Sequence, residues 1–244
     1  KVPQSNNFLF KSLNNEQLQA VKHVYGPLLV VAGAGSGKTK ALTHRIANLI
    51  ENNSIDPHNI LAVTFTNKAA KEMKTRISQI IGGTDAHNLW MGTFHSVFSK
   101  ILRFEANKLN YVSNFTIYDT TDAKNLLKSI IKELNLDKDI YKANIVYSRI
   151  SQLKNSLISP AGYESNAELR MDDAQRKLNE MSRIYRTYQK RLFTSGSMDF
   201  DDLLFNTYTL LRDFPDVLNK YQNKFKYILV DEYQDTNHVQ YMIV

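Results

Sequence analysis

Three residue groups in this chain are of the type and spacing that does chemistry, and the first is Ala32-Gly33-Ala34-Gly35-Ser36-Gly37-Lys38-Thr39. Glycine at 33, 35 and 37 permits positive φ and close backbone approach, so consecutive amide N–H groups and a following helix N-terminus can converge on one polyphosphate. Lys38 then meets the β- and γ-phosphates, and the Thr39 hydroxyl is a ligand for Mg²⁺. The strict loop pattern begins with Gly, and this chain has Ala32 there. The second group is Asp231-Glu232, at the end of the apolar run Tyr227-Ile228-Leu229-Val230. Asp231 suits a magnesium ion held directly or through water, and Glu232 suits a base that orients and deprotonates an attacking water. Together the two groups read as a nucleoside triphosphate site.

The third group is spread over two turns. Phe65-Thr66-Asn67-Lys68 combines an aromatic ring, a hydroxyl, an amide and an ammonium, which suits single-stranded nucleic acid through base stacking and phosphate contacts. The alternative is a polar turn with Phe65 in the core. Thr93-Phe94-His95-Ser96 repeats the arrangement, with Thr93, His95 and Ser96 at a helix start where phosphate is favoured. His95 is given no acid/base role. Gln17 has two readings: the second half of a capping box opened by Asn14, or an amide that pairs with the N6/N7 edge of adenine. Both stay open on the residues alone.

The elements that must position these groups follow from periodicity. Leu28-Leu29-Val30-Val31 is a predicted strand that feeds the glycine loop, and Lys40, Leu42, Arg45, Ile46 and Leu49 continue into a helix. Ile60–Thr64 is a second buried strand, followed by a helix over Asn67–Ile81. Leu89–Met91 and Gly92 lead into a further helix carrying Val97, Phe98, Ile101 and Leu102. In an open parallel sheet ligands bind beyond the carboxyl ends of strands, so the turns after these strands face the working edge. From about 106 to 197 the strand signal fades. Helices are predicted over Thr121–Leu134 and Ala143–Leu157, and a third carries Leu178, Met181, Tyr185, Tyr188 and Leu192 at heptad spacing. Arg176, Arg183, Arg186 and Lys190 lie off that face, either simply solvated or following a nucleic-acid backbone. Asp199-Phe200-Asp201-Asp202 reads as an acidic first turn of a capped helix rather than as a metal site. The fold class is α/β, with a parallel sheet and an all-α insertion.

Composition sets the outer limits. The 244 residues are 43% hydrophobic and 23% charged, with no cysteine, which excludes disulfides, thiolate metal sites and cysteine nucleophiles. Net charge is +7, and residues 93–198 hold most of it, with 17 Lys and Arg against 11 Asp and Glu. A polyanionic partner is therefore permitted. No run approaches a membrane span, and the polar opening Lys1–Asn7 lacks a signal peptide's apolar segment, so an intracellular, cytoplasmic location is expected. With no initiator Met and an apolar pattern running to Val244, the chain reads as a fragment of a longer polypeptide.

Gln17 in Leu-Asn-Asn-Glu-Gln, the glycine loop, Thr64–Ala70, Gly92–Ser96, Asp199–Asp202 and Asp231-Glu232-Tyr233-Gln234-Asp235-Thr236-Asn237 occur in one order. In that order the sequence resembles superfamily 1 DNA helicases of the UvrD/PcrA/Rep type, over essentially its whole length. Ala32 is accepted in that family, and Lys40 stands where relatives commonly have Arg. The resemblance implies a RecA-like domain 1A over 1–92 and 199–244 and an insertion domain 1B over 93–198. It implies that Gln17 reads adenine, that Ala32–Lys40 hold ATP with Mg²⁺, and that Phe65, Thr66, Asn67 and His95 lie along the single-strand track. Gln234 would link the γ-phosphate state to DNA contacts. The implied activity is ATP-driven 3′-to-5′ movement on single-stranded DNA and unwinding at single-strand/duplex junctions. Domains 2A and 2B and the arginine fingers would lie beyond Val244, leaving this fragment weakly active or inactive. Rival readings are a helicase subunit of a recombination nuclease complex and a DNA-binding module without turnover. A P-loop kinase or GTPase is disfavoured, because no Asn-Lys-x-Asp guanine reader appears and Gln17 fits adenine.

Overall fold

The computed structural model describes residues 9–244, and the polar opening residues 1–8 lie outside it. The chain divides into two compact units, one of residues 1–97 and 219–235 and one of residues 98–218 and 236–244. α5 (Phe94–Glu105) follows β2 (Trp90–Thr93) in the chain, and α12 (Pro215–Lys224) precedes β5 (Tyr227–Val230).

In the first unit β1 (Ile60–Thr64) is the middle strand of a three-stranded parallel sheet, between β2 (Trp90–Thr93) and β5 (Tyr227–Val230). Leu61 pairs with Trp90 and Thr64 with Thr93 on one side, and Ile60 with Tyr227 and Val63 with Val230 on the other. All five β1 residues are buried, which is why the strand is a continuous apolar run rather than an alternating one. α2 (Lys38–Glu51) and α3 (Asn67–Ile81) cover the sheet, with Ile46, Leu49 and Ile77 packing on Ile60, Ala62 and Leu229. α1 (Asn15–Lys22) is tied to α2 by the Asn48 amide, which donates to the Val21 carbonyl at 3.0 Å. A short α4 (Gly83–Asn88) precedes β2. Trp90 closes the sheet edge against Phe225, ring centroids 5.4 Å apart, with the Lys224 ammonium 3.9 Å from the indole centroid.

The strand predicted at Leu28–Val31 does not form. The run carries no ladder pairing among the described residues, and Leu29 and Val31 are 72% and 86% exposed. Strand propensity is satisfied only by a neighbouring backbone, and β5, whose outer edge is open, does not take the run up.

The second unit is helical. α6 (Thr120–Glu133), α7 (Ala143–Asn155), α8 (Pro160–Ser165), α9 (Ala167–Gln175) and α10 (Met181–Thr194) bury Leu127, Ile130, Ile150, Leu153, Met181, Ile184 and Leu192 in one core. The heptad residues Leu178, Met181, Tyr185, Tyr188 and Leu192 are all buried. The region read as all-α nevertheless holds a parallel pair, β3 (Thr116–Tyr118) and β4 (Ser197–Asp199), in register Thr116 to Ser197. Three residues are too few to leave an alternation in the sequence. α11 (Phe200–Asp213) follows β4 directly and packs on α7 and on α13 (His238–Ile243).

Three of the four basic residues set off the α10 core face are ion-paired: Arg176 with Asp172, Arg183 with Glu180, Arg186 with Glu164. These pairs are solvent-exposed and add little stability, but they commit the guanidinium groups.

Candidate nucleotide site

Backbone geometry builds the loop before any side chain does. Gly35 and Gly37 adopt φ of 77° and 85°, so the chain can fold back and present successive N–H groups. Gly33 has no positive φ, contrary to the expectation for all three glycines. The turn is closed by the Ser36 N–H donating to the Gly33 carbonyl at 3.3 Å, and α2 starts at Lys38 with Gly37 as its left-handed cap. The first N–H groups of that helix have no intrahelical acceptor and carry the positive end of its dipole. Thr39 is in the first turn. Ala32, Ala34 and Ser36 form the exposed wall of the loop.

Lys38 folds over the loop, its ammonium donating to the carbonyls of Ala32 at 3.0 Å and Gly33 at 3.3 Å. Asp231 caps the end of β5, where its N–H donates to the Val63 carbonyl at 3.0 Å, and the residue is buried. Burial and the neighbouring Glu232 charge raise the Asp231 carboxyl above its ordinary range, and the Lys38 ammonium acts in the opposite sense. Lys38 and Asp231, 193 positions apart in sequence, both belong to the first unit. The Asp231 carboxylate and the Thr39 hydroxyl, in the first turn of α2, are both hard oxygen donors of the kind that magnesium takes.

Glu232 has a left-handed backbone, φ 51°, and its carboxylate accepts a hydrogen bond from the Gln234 amide. The turn is closed by the Asp235 N–H donating to the Glu232 carbonyl at 2.9 Å.

The capping-box reading of Gln17 is observed, and the side chain has a second contact besides. Its Oε1 accepts from the Asn14 N–H at 3.2 Å, completing the capping box of α1, while its Nε2 donates to the Ser36 carbonyl at 2.8 Å. The amide is thus held against the phosphate loop, where an adenine reader would have to be. Lys40 is turned away: its ammonium donates to the Ser12 carbonyl.

The turns read as a nucleic-acid contact leave the sheet at the same edge. Thr64 and Thr93 are register partners, so Phe65–Lys68 and Thr93–His95 emerge side by side at the carboxyl ends of adjacent parallel strands. Thr66, Asn67 and Lys68 are exposed, and Phe65 and His95 half-buried. The Phe65 ring is tilted on Phe94 at 5.5 Å. The Thr66 hydroxyl caps α3 by accepting from the Ala69 N–H at 3.1 Å, and that of Thr93 accepts from the Ser96 N–H at 3.2 Å. A Cβ at Gly92 would make the Ser96 hydroxyl turn away from its place beside the strand end.

A glycine loop opening a helix, with a parallel sheet whose strand β5 ends in Asp231-Glu232, is the arrangement of a RecA-like P-loop fold. The sequence matches the family model of the UvrD/REP helicase N-terminal domain over residues 13–244, and the chain belongs to that family. It is 45% identical over 243 residues to proteins named ATP-dependent DNA helicase PcrA in Staphylococcus epidermidis and Staphylococcus aureus. The match takes in 98% of this chain and 32% of each relative, so the chain spans about a third of the length of these relatives.

Sequence reasoning gave no role to Lys154. The residue is 1% exposed, its ammonium 2.7 Å from Asp199 and 2.8 Å from Asp202. A lone lysine in an amphipathic helix reads as solvated face, and only the acidic cluster forty-five residues later signals a partner. Asp199 caps α11, its side chain accepting from the Asp202 N–H and that of Asp202 from the Asp199 N–H.

Proposed function

We propose that this chain is the N-terminal part of an ATP-dependent DNA helicase, with domain 1A in 1–92 and 199–244, domain 1B in 93–198, and domains 2A and 2B outside it. The observation that carries the reading is the glycine loop that opens α2 through the left-handed Gly37, with the Gln17 amide held on it through the Ser36 carbonyl. In this reading Ala32–Thr39 cradle the triphosphate of ATP, with Lys38 on the β- and γ-oxygens and Gln17 on adenine. Lys40 supports the loop through Ser12. Thr39 and Asp231 hold Mg²⁺, which supplies charge neutralisation at the transferring phosphoryl group. Glu232 orients the attacking water and takes its proton, and Gln234, bonded to Glu232, links that event to DNA. Phe65 stacks a base, while Thr66, Asn67, Lys68, Thr93 and His95 follow the strand backbone.

Such a protein moves 3′ to 5′ on single-stranded DNA and opens duplex at a junction, in the cytoplasm. No described helix is long and apolar enough to cross a membrane. The chain by itself turns ATP over weakly or not at all, since arginine fingers in related phosphoryl transfers contribute on the order of 10³ or more in rate.

The test is Lys38→Ala in the full-length protein. DNA-stimulated ATP hydrolysis is expected to fall by at least about 10²-fold, while single-strand affinity without nucleotide stays near that of the parent. If the unaltered protein binds DNA but shows no stimulated hydrolysis, it is a binding module and the motor reading is wrong.

A further inference from the structure

α1 is eight residues long, too short to hold itself in water, and Val21 is the one side chain that it buries. Apolar packing therefore does little to place it. The last carbonyls of a helix have no intrahelical donor, and α2 supplies donors to those of α1. Arg45 Nη1 donates to the Ala20 carbonyl at 2.8 Å and also to that of His23, while Asn48 Nδ2 donates to that of Val21 at 3.0 Å. The chain ahead of α1 is held from the same helix. Lys40 donates to the Ser12 carbonyl, and the His44 ring, as its Nδ1–H tautomer, to that of Leu9 at 2.8 Å. Lys40, His44, Arg45 and Asn48 lie toward one side of α2 by their spacing, and every residue named here is in the first unit.

The segment clasped in this way carries Gln17. Its Oε1 and Nε2 are each engaged once, by the Asn14 N–H and the Ser36 carbonyl, whereas a side-chain amide has two lone pairs and two protons. One acceptor and one donor remain. The edge of adenine, an N6 donor beside an N7 acceptor, takes both, and that of guanine, with O6 and N7 both acceptors, does not. Because α2 begins at Lys38, the amide and the glycine loop are both referred to the same helix.

We propose that Arg45 is a positioning residue for base selection: by satisfying the Ala20 and His23 carbonyls it seats α1 on α2, and so fixes the Gln17 amide that distinguishes adenine from guanine. The inference rests on the function proposed above and adds a determinant of nucleotide specificity that acts through Gln17. Both bonds leave one nitrogen, Nη1, and use its two protons. Lysine also carries its protons on one nitrogen and methionine carries none, which sets the comparison to make.

The test uses the full-length protein with Arg45→Met, Arg45→Lys and Gln17→Ala. The readouts are calorimetric binding of ATP, GTP and inorganic triphosphate with magnesium, amide exchange over residues 15–23, and DNA-stimulated hydrolysis. The parent is expected to bind ATP about tenfold or more tightly than GTP. In R45M exchange rises several-fold, Kd and KM for ATP rise about fivefold or more toward those for GTP, and kcat stays within about twofold. GTP and inorganic triphosphate, which do not pair with the amide, bind R45M within about twofold of the parent, and R45K keeps its ATP affinity within about twofold as well. A structural role alone lowers the melting temperature and weakens ATP, GTP and triphosphate together. That result, an R45M that keeps the parent's preference, or an R45K as impaired as R45M overturns the proposal. Should R45M fail to fold, Arg45→Gln, too short to reach both carbonyls, must show the same ATP-specific loss, and an unchanged preference in that variant overturns the proposal. Gln17→Ala separates the two levels. If it keeps the parent's preference, or if the parent has none, the adenine reading itself is refuted; if it loses the preference and R45M does not, that reading stands and the role of Arg45 falls. Binding is measured without DNA, so a parent lacking stimulated hydrolysis refutes the motor reading while the binding and exchange arms still judge Arg45.

Discussion

At Gly37 a backbone φ of 85° coincides with a crowded neighbourhood, since a Cβ there would lie 2.5 Å from Gln17 Nε2. Gly33, one turn earlier in the same loop, has neither constraint. Alanine at 37 is therefore expected to lower the melting temperature by several degrees and to weaken nucleotide binding at least about tenfold, by left-handed strain of roughly 1–2 kcal/mol plus displacement of Gln17. Alanine at 33 leaves the melting temperature near the parent's, and calorimetry of the two variants side by side checks the contrast. Asp202 carries a second prediction at this scale. Burial first and the Asp199 charge second push its carboxyl up to about 6, with Lys154 opposing. A folded-state value above the unfolded one means that the native state holds the proton more tightly. The stabilisation is present in full only below the ordinary value of 3.8 and is lost as pH rises through about 6. Tyr185 and Tyr188, which also face the cluster, stay neutral across this range because burial raises both. Asp199 is held below its ordinary range by Lys154, against the effect of burial, and acts only at lower pH. His44, lowered by burial, works in the opposite sense, so the comparison with Asp202→Asn isolates the group. Urea midpoints of the parent, minus those of D202N, should rise as pH falls from 7 to 4.5; a flat or inverted difference contradicts the assignment.

Helices were legible from sequence wherever a cap or a face was written into it. Thr66 opens α3, Asn14 with Gln17 boxes α1, and the α10 heptad faces the core as its spacing requires. What was not legible depends on partners far along the chain. Leu28–Val31 has strand chemistry and no strand, because a ladder is a property of two backbones. Lys154 has surface chemistry and is buried, because Asp199 and Asp202 arrive from another element. The pin that results between α7 and α11 sets an energy scale. Lys154→Met leaves two buried carboxylates without their cation and is expected to cost about 3–5 kcal/mol, measured by urea unfolding. Replacing the cluster wholly with apolar residues of similar volume should cost far less, since most of the penalty is the uncompensated charge. At the candidate nucleotide site the glycine loop was legible as a turn that opens a helix and Asp231-Glu232 as the end of an apolar strand, and each element forms so.

Over the whole molecule, the +7 charge is a poor guide to DNA contacts, because Arg176, Arg183 and Arg186 already hold acids. Lys68 is an exposed cation in the turn after β1. Lys68→Ala in the full-length protein is expected to weaken single-strand binding at every sequence alike and to reduce the slope of log K against log salt by about 0.7, one phosphate's worth. Arg186→Ala should leave that slope unchanged. Fluorescence anisotropy over a salt series separates the two. The open outer edge of β5 and the bare apolar stretch ahead of the glycine loop also govern how this polypeptide behaves in a test tube. Each is a template for backbone pairing with a second molecule, so concentrated stocks of these 244 residues will tend to self-associate and precipitate, and a soluble preparation depends on dilution or on something that occupies that flank.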